Sequence, residues 1–250
     1  MNLLAFDTST DVMSIAVQRG AAADAPAVSG ARTLQSTQQH RTWQHTAAGG
    51  AQASTTLIPA IQRLMQQAGL AFGAGVPVLP VDSLLVVAEE ARYQQSLIRH
   101  PRQADPLGSP DPLDHRDPLQ PPARFRVLAV LDARMDEVYA AYYEFNSKLC
   151  MTVDGYSLIS PEKLVLEDGW AITGNAFAAY GERLPGDKAA HIHALPTASA
   201  MLRLAPALLA AGHAVPADQA LPTYIRDKVA KTTQERAQEK REKTIAGVAP

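Results

Sequence analysis

Apolar and polar positions along the chain spell one pattern twice. Leu3-Leu4-Ala5-Phe6-Asp7, a polar turn and Val12-Met13-Ser14-Ile15-Ala16-Val17 recur as Val127-Leu128-Ala129-Val130-Leu131-Asp132, a second turn and Val138-Tyr139-Ala140-Ala141-Tyr142-Tyr143. Each copy is a short apolar run ending on Asp, then a reversal and a run rich in β-branched or aromatic residues, which predicts a buried hairpin. After the first hairpin, residues 21–54 are polar and rich in Ala, Gly and Gln. This stretch reads as an extended surface loop carrying His40, Arg41 and His45, with one weak strand near Arg32–Leu34. Leu57, Ile58, Ile61, Leu64, Met65 and Ala68 then fall on one helical face, with Thr55 or Thr56 as cap, Pro59 in the first turn and Gly69 as the stop. Val76–Val81 reads as a strand despite Pro77 and Pro80, and a second helix starts at Asp82 or Ser83 and runs to about Ile98.

A repeat at half the chain length implies two related lobes. The second reads as hairpin, strand 156–159, helix opened by Ser160-Pro161-Glu162, strand 170–173, helix 176–180, weak strand 191–194 and helix 198–211, with Gly212 as stop and Pro206 as a kink. Three strands followed by helix, strand, helix, strand, helix is the order of a ribonuclease-H-like fold. The expected class is α/β, two lobes of the actin, sugar-kinase and Hsp70 type, with the first lobe one strand-helix unit short. Only Gly69-Leu70-Ala71-Phe72-Gly73-Ala74-Gly75 spans the place where the second lobe carries that unit. The seven prolines of Pro101–Pro122 mark a linker, because such a segment cannot recover its ordering entropy through burial. The expected division is 1–100, linker 101–123, 124–226, and a charged tail at 227–250.

Composition narrows the classes. The chain has 250 residues, 46% hydrophobic and 19% charged, as in ordinary globular proteins, with no apolar run near the ~20 residues that span a bilayer. No export signal stands at the N-terminus and Cys150 is the single cysteine, so a reducing cytoplasmic setting without disulfides or a membrane is expected. Cys150 itself reads as a small hydrophobe. A formal charge of -2 argues against a globally basic nucleic-acid binder. Arg226–Lys243 departs from that balance, with seven Lys or Arg against four acids, and reads as a solvated tail or an RNA or partner contact.

Candidate chemistry lies at the hairpin turns. Asp7, Thr8 and Ser9 either hold a phosphate through backbone N–H groups or form an Asx turn kept for geometry. Asp132, Arg134, Asp136 and Glu137 make a charged turn that either recognises a partner or bonds to itself; three acids against one base oppose direct phosphate contact. His40, His45, His100, His115, His191, His193 and His213 include no pair four apart, so the helical His-x-x-x-His metal site is not expected. No cofactor is expected either.

Four blocks carry a specific resemblance. Leu4-Ala5-Phe6-Asp7-Thr8-Ser9-Thr10, Asp132-Ala133-Arg134-Met135-Asp136-Glu137-Val138-Tyr139, Thr173-Gly174-Asn175-Ala176 and Tyr224-Ile225-Arg226-Asp227 together resemble the TsaB family. The resemblance implies a noncatalytic dimerisation subunit of the bacterial tRNA threonylcarbamoyladenosine machinery, a glycoprotease-like paralogue of the catalytic subunit TsaD. Such proteins pair with TsaD and the ATPase TsaE to modify the adenosine beside the anticodon in tRNAs reading codons that start with A. tRNA is then met through the complex, and a homodimer is an alternative assembly. The family carries, after its first long helix, a strand, a Gly-Pro-Gly-Ser-Phe-Thr-Gly loop and the start of another helix, and this sequence lacks them. The resemblance also makes Leu57, Ile58, Ile61, Leu64 and Met65 half of a partner interface. The competing reading from the fold alone is an actin-like ATPase or phosphotransferase using Asp7 and Asp132, with metallopeptidase third.

Overall fold

The computed structural model describes residues 1–20, 41–70, 75–99, 124–146, 150–152, 155–186 and 189–221. The chain divides into two units, 1–220 and 221–250. The expected linker, the weak strand near Arg32–Leu34, the tail from 227 and His40, His100 and His115 lie outside the described residues, as does the Cys150 side chain.

Two sheets form the first unit. In the first, strands β1 (Leu3–Asp7), β2 (Val12–Arg19) and β3 (Arg41–Ala48) make an antiparallel meander in the order β1-β2-β3. In the second, β4 (Arg124–Arg134), β5 (Glu137–Asn146), β6 (Cys150–Thr152), β7 (Ser157–Ile159), β8 (Ala171–Gly174) and β9 (His191–His193) take the order β6-β5-β4-β8-β9, with β7 also on β5. β6 and β7 share one strand position, so the second sheet has the five-position arrangement of which the first keeps three.

Helix α1 (Ala53–Ala68) covers one face of the first sheet. Met13, Ile15 and Val17 alternate along β2 toward Ile61, Leu64, Met65 and Ala68. Gly69 ends the helix at φ 64°, a left-handed conformation that glycine adopts without Cβ cost. Thr55 and Thr56 lie inside the first turn and return hydroxyl hydrogen bonds to the Gln52 carbonyl, so neither is the cap.

Helix α2 (Ser83–Arg99) opens on Asp82, whose carboxylate accepts from the Leu84 and Leu85 amides at 3.0 and 3.1 Å. Its apolar side, Leu84, Val87, Ala88 and Ala91, packs on Phe125, Val127, Ala129 and Tyr143 of the second sheet. Helix α4 (Ala198–Ala210), capped by Thr197, does the reverse and packs Ala198 and Leu202 on Ala16, Leu3 and Ala5 of the first sheet. The halves therefore exchange their last helices. The two helices meet through Val86, Ala200 and Leu204 and through an ion network in which buried Glu89 holds both Arg92 (2.7 Å) and Arg203 (2.9 Å), while Arg203 also reaches Glu90 (2.7 Å). Short α3 (Phe177–Tyr180) and a 3₁₀ turn at Pro161–Lys163 cover the outer face of the second sheet.

Three expected elements differ. The helix expected to open at Ser160-Pro161-Glu162 is only the three-residue 3₁₀ turn Pro161–Lys163, with the backbone extended again at Leu164. The stretch read as a loop contains β3, a polar edge strand that contributes only Trp43 and Ala47 to the core. The strand expected at Val76–Val81 does not form; a lone antiparallel bridge joins Val78 to Val215. Pro77 and Pro80 remove two donors, and with no fourth strand beside β1 among the described residues, a fifth has nothing there to pair with.

Candidate functional site

Both Asp-tipped hairpins point to one region, where Arg134 lies 3.9 Å from Asp11 across the gap between the turns. Both partners are strongly exposed, so this pair contributes little stability.

At the first turn Asp7 is buried. Its Oδ1 accepts from the Ser9 amide at 2.9 Å and the Ser9 hydroxyl at 2.7 Å, and its Oδ2 lies 3.4 Å from the Ser83 hydroxyl at the start of α2. Burial pushes the Asp7 carboxyl above its usual range, against the pull of these hydrogen bonds. The Ser9 N–H is thus spent on an Asx turn rather than presented to an anion, while Thr8 stands exposed beside it. Asp82, one residue before Ser83, also accepts from the hydroxyl of buried Tyr143, tying the start of α2 to β5.

At the second turn Arg134, Met135 and Asp136 have φ of 62°, 56° and 65°, three successive non-glycine residues in the left-handed region. A two-residue reversal between the paired Arg134 and Glu137 demands this of Met135 and Asp136, while Arg134 adopts it at the register shift after Asp132, and such strain persists only where surrounding bonds fix it. Those bonds are present. Asp132 Oδ1 accepts from the Arg134 amide (2.8 Å) and from Tyr180 Oη (2.9 Å), Asp132 Oδ2 pairs with the Arg134 guanidinium (3.1 Å), and the Asp132 amide donates to Asn175 Oδ1 (2.9 Å). Asp136 receives Arg183 on both oxygens, at 2.6 and 2.9 Å, and Arg183 also binds Glu162. Arg183 holds both carboxylates below their usual range. The Glu137 carbonyl lies 3.0 Å from Tyr180 Oη.

The structure thus brings Asp132, Arg134, Asp136 and Glu137 together in one turn, bonded within itself through Asp132 and Arg134 and to Tyr180, Asn175 and Arg183 outside it, with Asp7 and Ser9 in a second one. It disperses the expected partner interface. Ile61, Leu64 and Met65 are core residues facing their own sheet and Leu57 is half-buried there; Ile58 alone faces outward, at 56% exposure. The reason is that a three-stranded sheet has one long helix to cover this face, and α1 spends its apolar stripe on it. Sequence reasoning missed the supports, Tyr180, Asn175, Arg183 and Ser83. Asn175 was within reach, since it stands in the Thr173-Gly174-Asn175-Ala176 block; at Gly174 before it a Cβ would stand 1.7 Å from the Val130 carbonyl oxygen, at φ 135°. His191 and His193 flank the ring of Phe177 on the exposed face of β9, at centroid distances of 4.9 and 4.8 Å. Among the described residues no group of three or more His, Cys, Asp or Glu is placed to hold a metal ion, and no helix is long and apolar enough to cross a membrane.

Sheet order β6-β5-β4-β8-β9 in one half and β3-β2-β1 in the other, each half opening with an Asp-tipped hairpin, defines a two-lobed ribonuclease-H-like protein with a shortened first lobe. No family model and no curated protein matches the chain. Solved structures do: YeaZ from Pseudomonas aeruginosa, at 25% identity and a TM-score of 0.61, over 89% of this chain and 99% of that one. A second, described as an uncharacterized protein with similarity to peptidase YEAZ from Pseudomonas aeruginosa, matches at 25% identity and a TM-score of 0.63, over 90% and 99%. Within its class the chain is YeaZ-like, that is TsaB-like, along about nine-tenths of its length.

Proposed function

We propose that this chain is a noncatalytic subunit of a tRNA-modifying assembly, pairing with a TsaD-type catalytic paralogue and a TsaE-type ATPase to support threonylcarbamoylation of the adenosine beside the anticodon. The likeness to YeaZ over about 90% of the chain carries this reading. The turns add support, because their carboxylates and the Ser9 amide are engaged within the chain rather than aimed at a shared ligand. The outward face of α1 around Ile58 is the part of the family's interface helix available to the paralogue.

The test is reconstitution. The chain is mixed with the TsaD-like and TsaE-like proteins of its own organism, and complex formation and threonylcarbamoyl transfer to tRNA are followed with and without it. Transfer is expected to require the chain and to survive Asp7→Ala. ATP hydrolysis or peptide cleavage by the isolated chain, abolished by Asp7→Ala, would overturn the reading, as would transfer indifferent to its presence.

A further inference from the structure

In the second sheet β4 has a strand on each side, β5 antiparallel and β8 parallel, the latter with Val127 opposite Ala171 and Val130 opposite Gly174. In the first sheet β1 pairs with β2 alone, and among the described residues no strand flanks its other edge. The contrast shows in burial. Val127, Leu128, Ala129 and Val130 are wholly buried, whereas Leu3, Leu4 and Ala5 are half-buried and Phe6 is 47% exposed. Leu4 and Phe6 stand opposite Val17 and Ile15, on the α1 face, so Phe6 marks where that face runs out of cover.

Edge strands are ordinarily blunted by lysine, proline, bulges or inward charges. β1 has none of the first three, and no charged side chain lies between Met1 and Phe6. Asp7 is the one charge, and it is folded back onto Ser9 at the end of the strand.

We propose that the outer edge of β1 is a strand-acceptor site for an extended, uncharged, apolar segment of a partner polypeptide, running parallel to β1 where β8 runs beside β4. The direction and chemistry come from the protein's own complete copy: Ala171-Ile172-Thr173-Gly174 is short, small and uncharged, and its glycine permits the close approach to the Val130 carbonyl. Main-chain hydrogen bonds supply the affinity of such additions, and alternate side chains the selectivity, here an apolar residue set beside Phe6. A second copy fits worse. Two-fold antiparallel pairing centred on Ala5 would set Leu3 against Asp7 of the other copy, and two five-residue strands bury far less than the ~1,200 Å² of a stable interface. The inference does not depend on the proposed function, since it concerns an edge that no strand of the described residues flanks.

The full chain, isotopically labelled, is titrated with a peptide of its own residues 169–176, and amide hydrogen exchange is followed along both edges of the first sheet. Saturable binding is expected, slowing exchange within Leu3–Phe6 at least about tenfold and leaving β3 unchanged. Phe6→Lys, at an exposed position, is expected to keep the melting temperature and weaken binding by about tenfold or more, whereas Phe6→Leu keeps binding. Absence of protection at saturating peptide, protection on β3 instead, or equal binding by Phe6→Lys would overturn the proposal. So would a free chain that sediments as a dimer with β1 already protected, which would make a second copy the occupant.

Discussion

β1 and β4 are the same strand in two settings. Each starts a hairpin, each carries an apolar run that closes on Asp (Asp7, Asp132), and each faces a long helix across its sheet. β4 lies at the centre of its sheet, while β1 lies at an edge and exposes Phe6. The lesson is that a strand's burial is set by its neighbours. Leu-Leu-Ala-Phe and Val-Leu-Ala-Val are equally apolar, yet the second is sealed by β8 and the first has no such fourth-position strand among the described residues.

Changes that break the paired side should cost most. Gly174→Ala would place a methyl against the Val130 carbonyl at a φ hostile to L side chains, and we expect a loss of roughly 4 kcal/mol or more, read as a collapse of the thermal transition or of soluble expression. Removing Glu89 comes next. Glu89→Ala leaves Arg92 and Arg203 without their shared carboxylate at the α2–α4 contact, for an expected ~3 kcal/mol in denaturant titration. Leu128→Ala and Leu4→Ala then compare the two strands directly. The wholly buried β4 leucine should cost about 2–5 kcal/mol and the half-buried β1 leucine less than half as much. Equal losses would remove the contrast.

The smallest effect has a definite sign. Burial raises the Asp7 carboxyl above its unfolded value, so the folded chain binds the proton more tightly, and stability falls as pH rises through that window. Asp7→Asn keeps an acceptor for Ser9 and removes the buried charge. Its melting temperature should exceed that of the parent at pH ~7, and the advantage should vanish below the unfolded carboxylate value near pH ~3.9.

Much of this architecture is legible in the sequence, for reasons visible in particular residues. The hairpins carry continuous apolar runs, α2 announces itself through Asp82, α4 through Thr197, and α1 ends at Gly69. β3 hides because Arg41, Gln44 and Thr46 face solvent and its inward positions mix Trp43 and Ala47 with His45. The helix exchange is also invisible, since amphipathic periodicity says that a face is buried but not against which sheet. For the same reason the stripe at Ile61, Leu64 and Met65 could be read as an interface when it is the core of its own half. At the turns, Asp7, Asp132 and Asp136 are evident as charges. Their partners Tyr180 and Arg183 lie over forty residues away from Asp132 and Asp136 and meet them only through the fold.

The most direct test of the account is native-state amide hydrogen exchange on the free chain, comparing β4 with β1. Val127–Val130 should exchange only through global unfolding, while the outward-facing amides of Leu3–Phe6 exchange orders of magnitude faster through local opening. Equal protection of both strands would mean that β1 has a pairing partner after all, and would contradict the open edge on which the comparison rests.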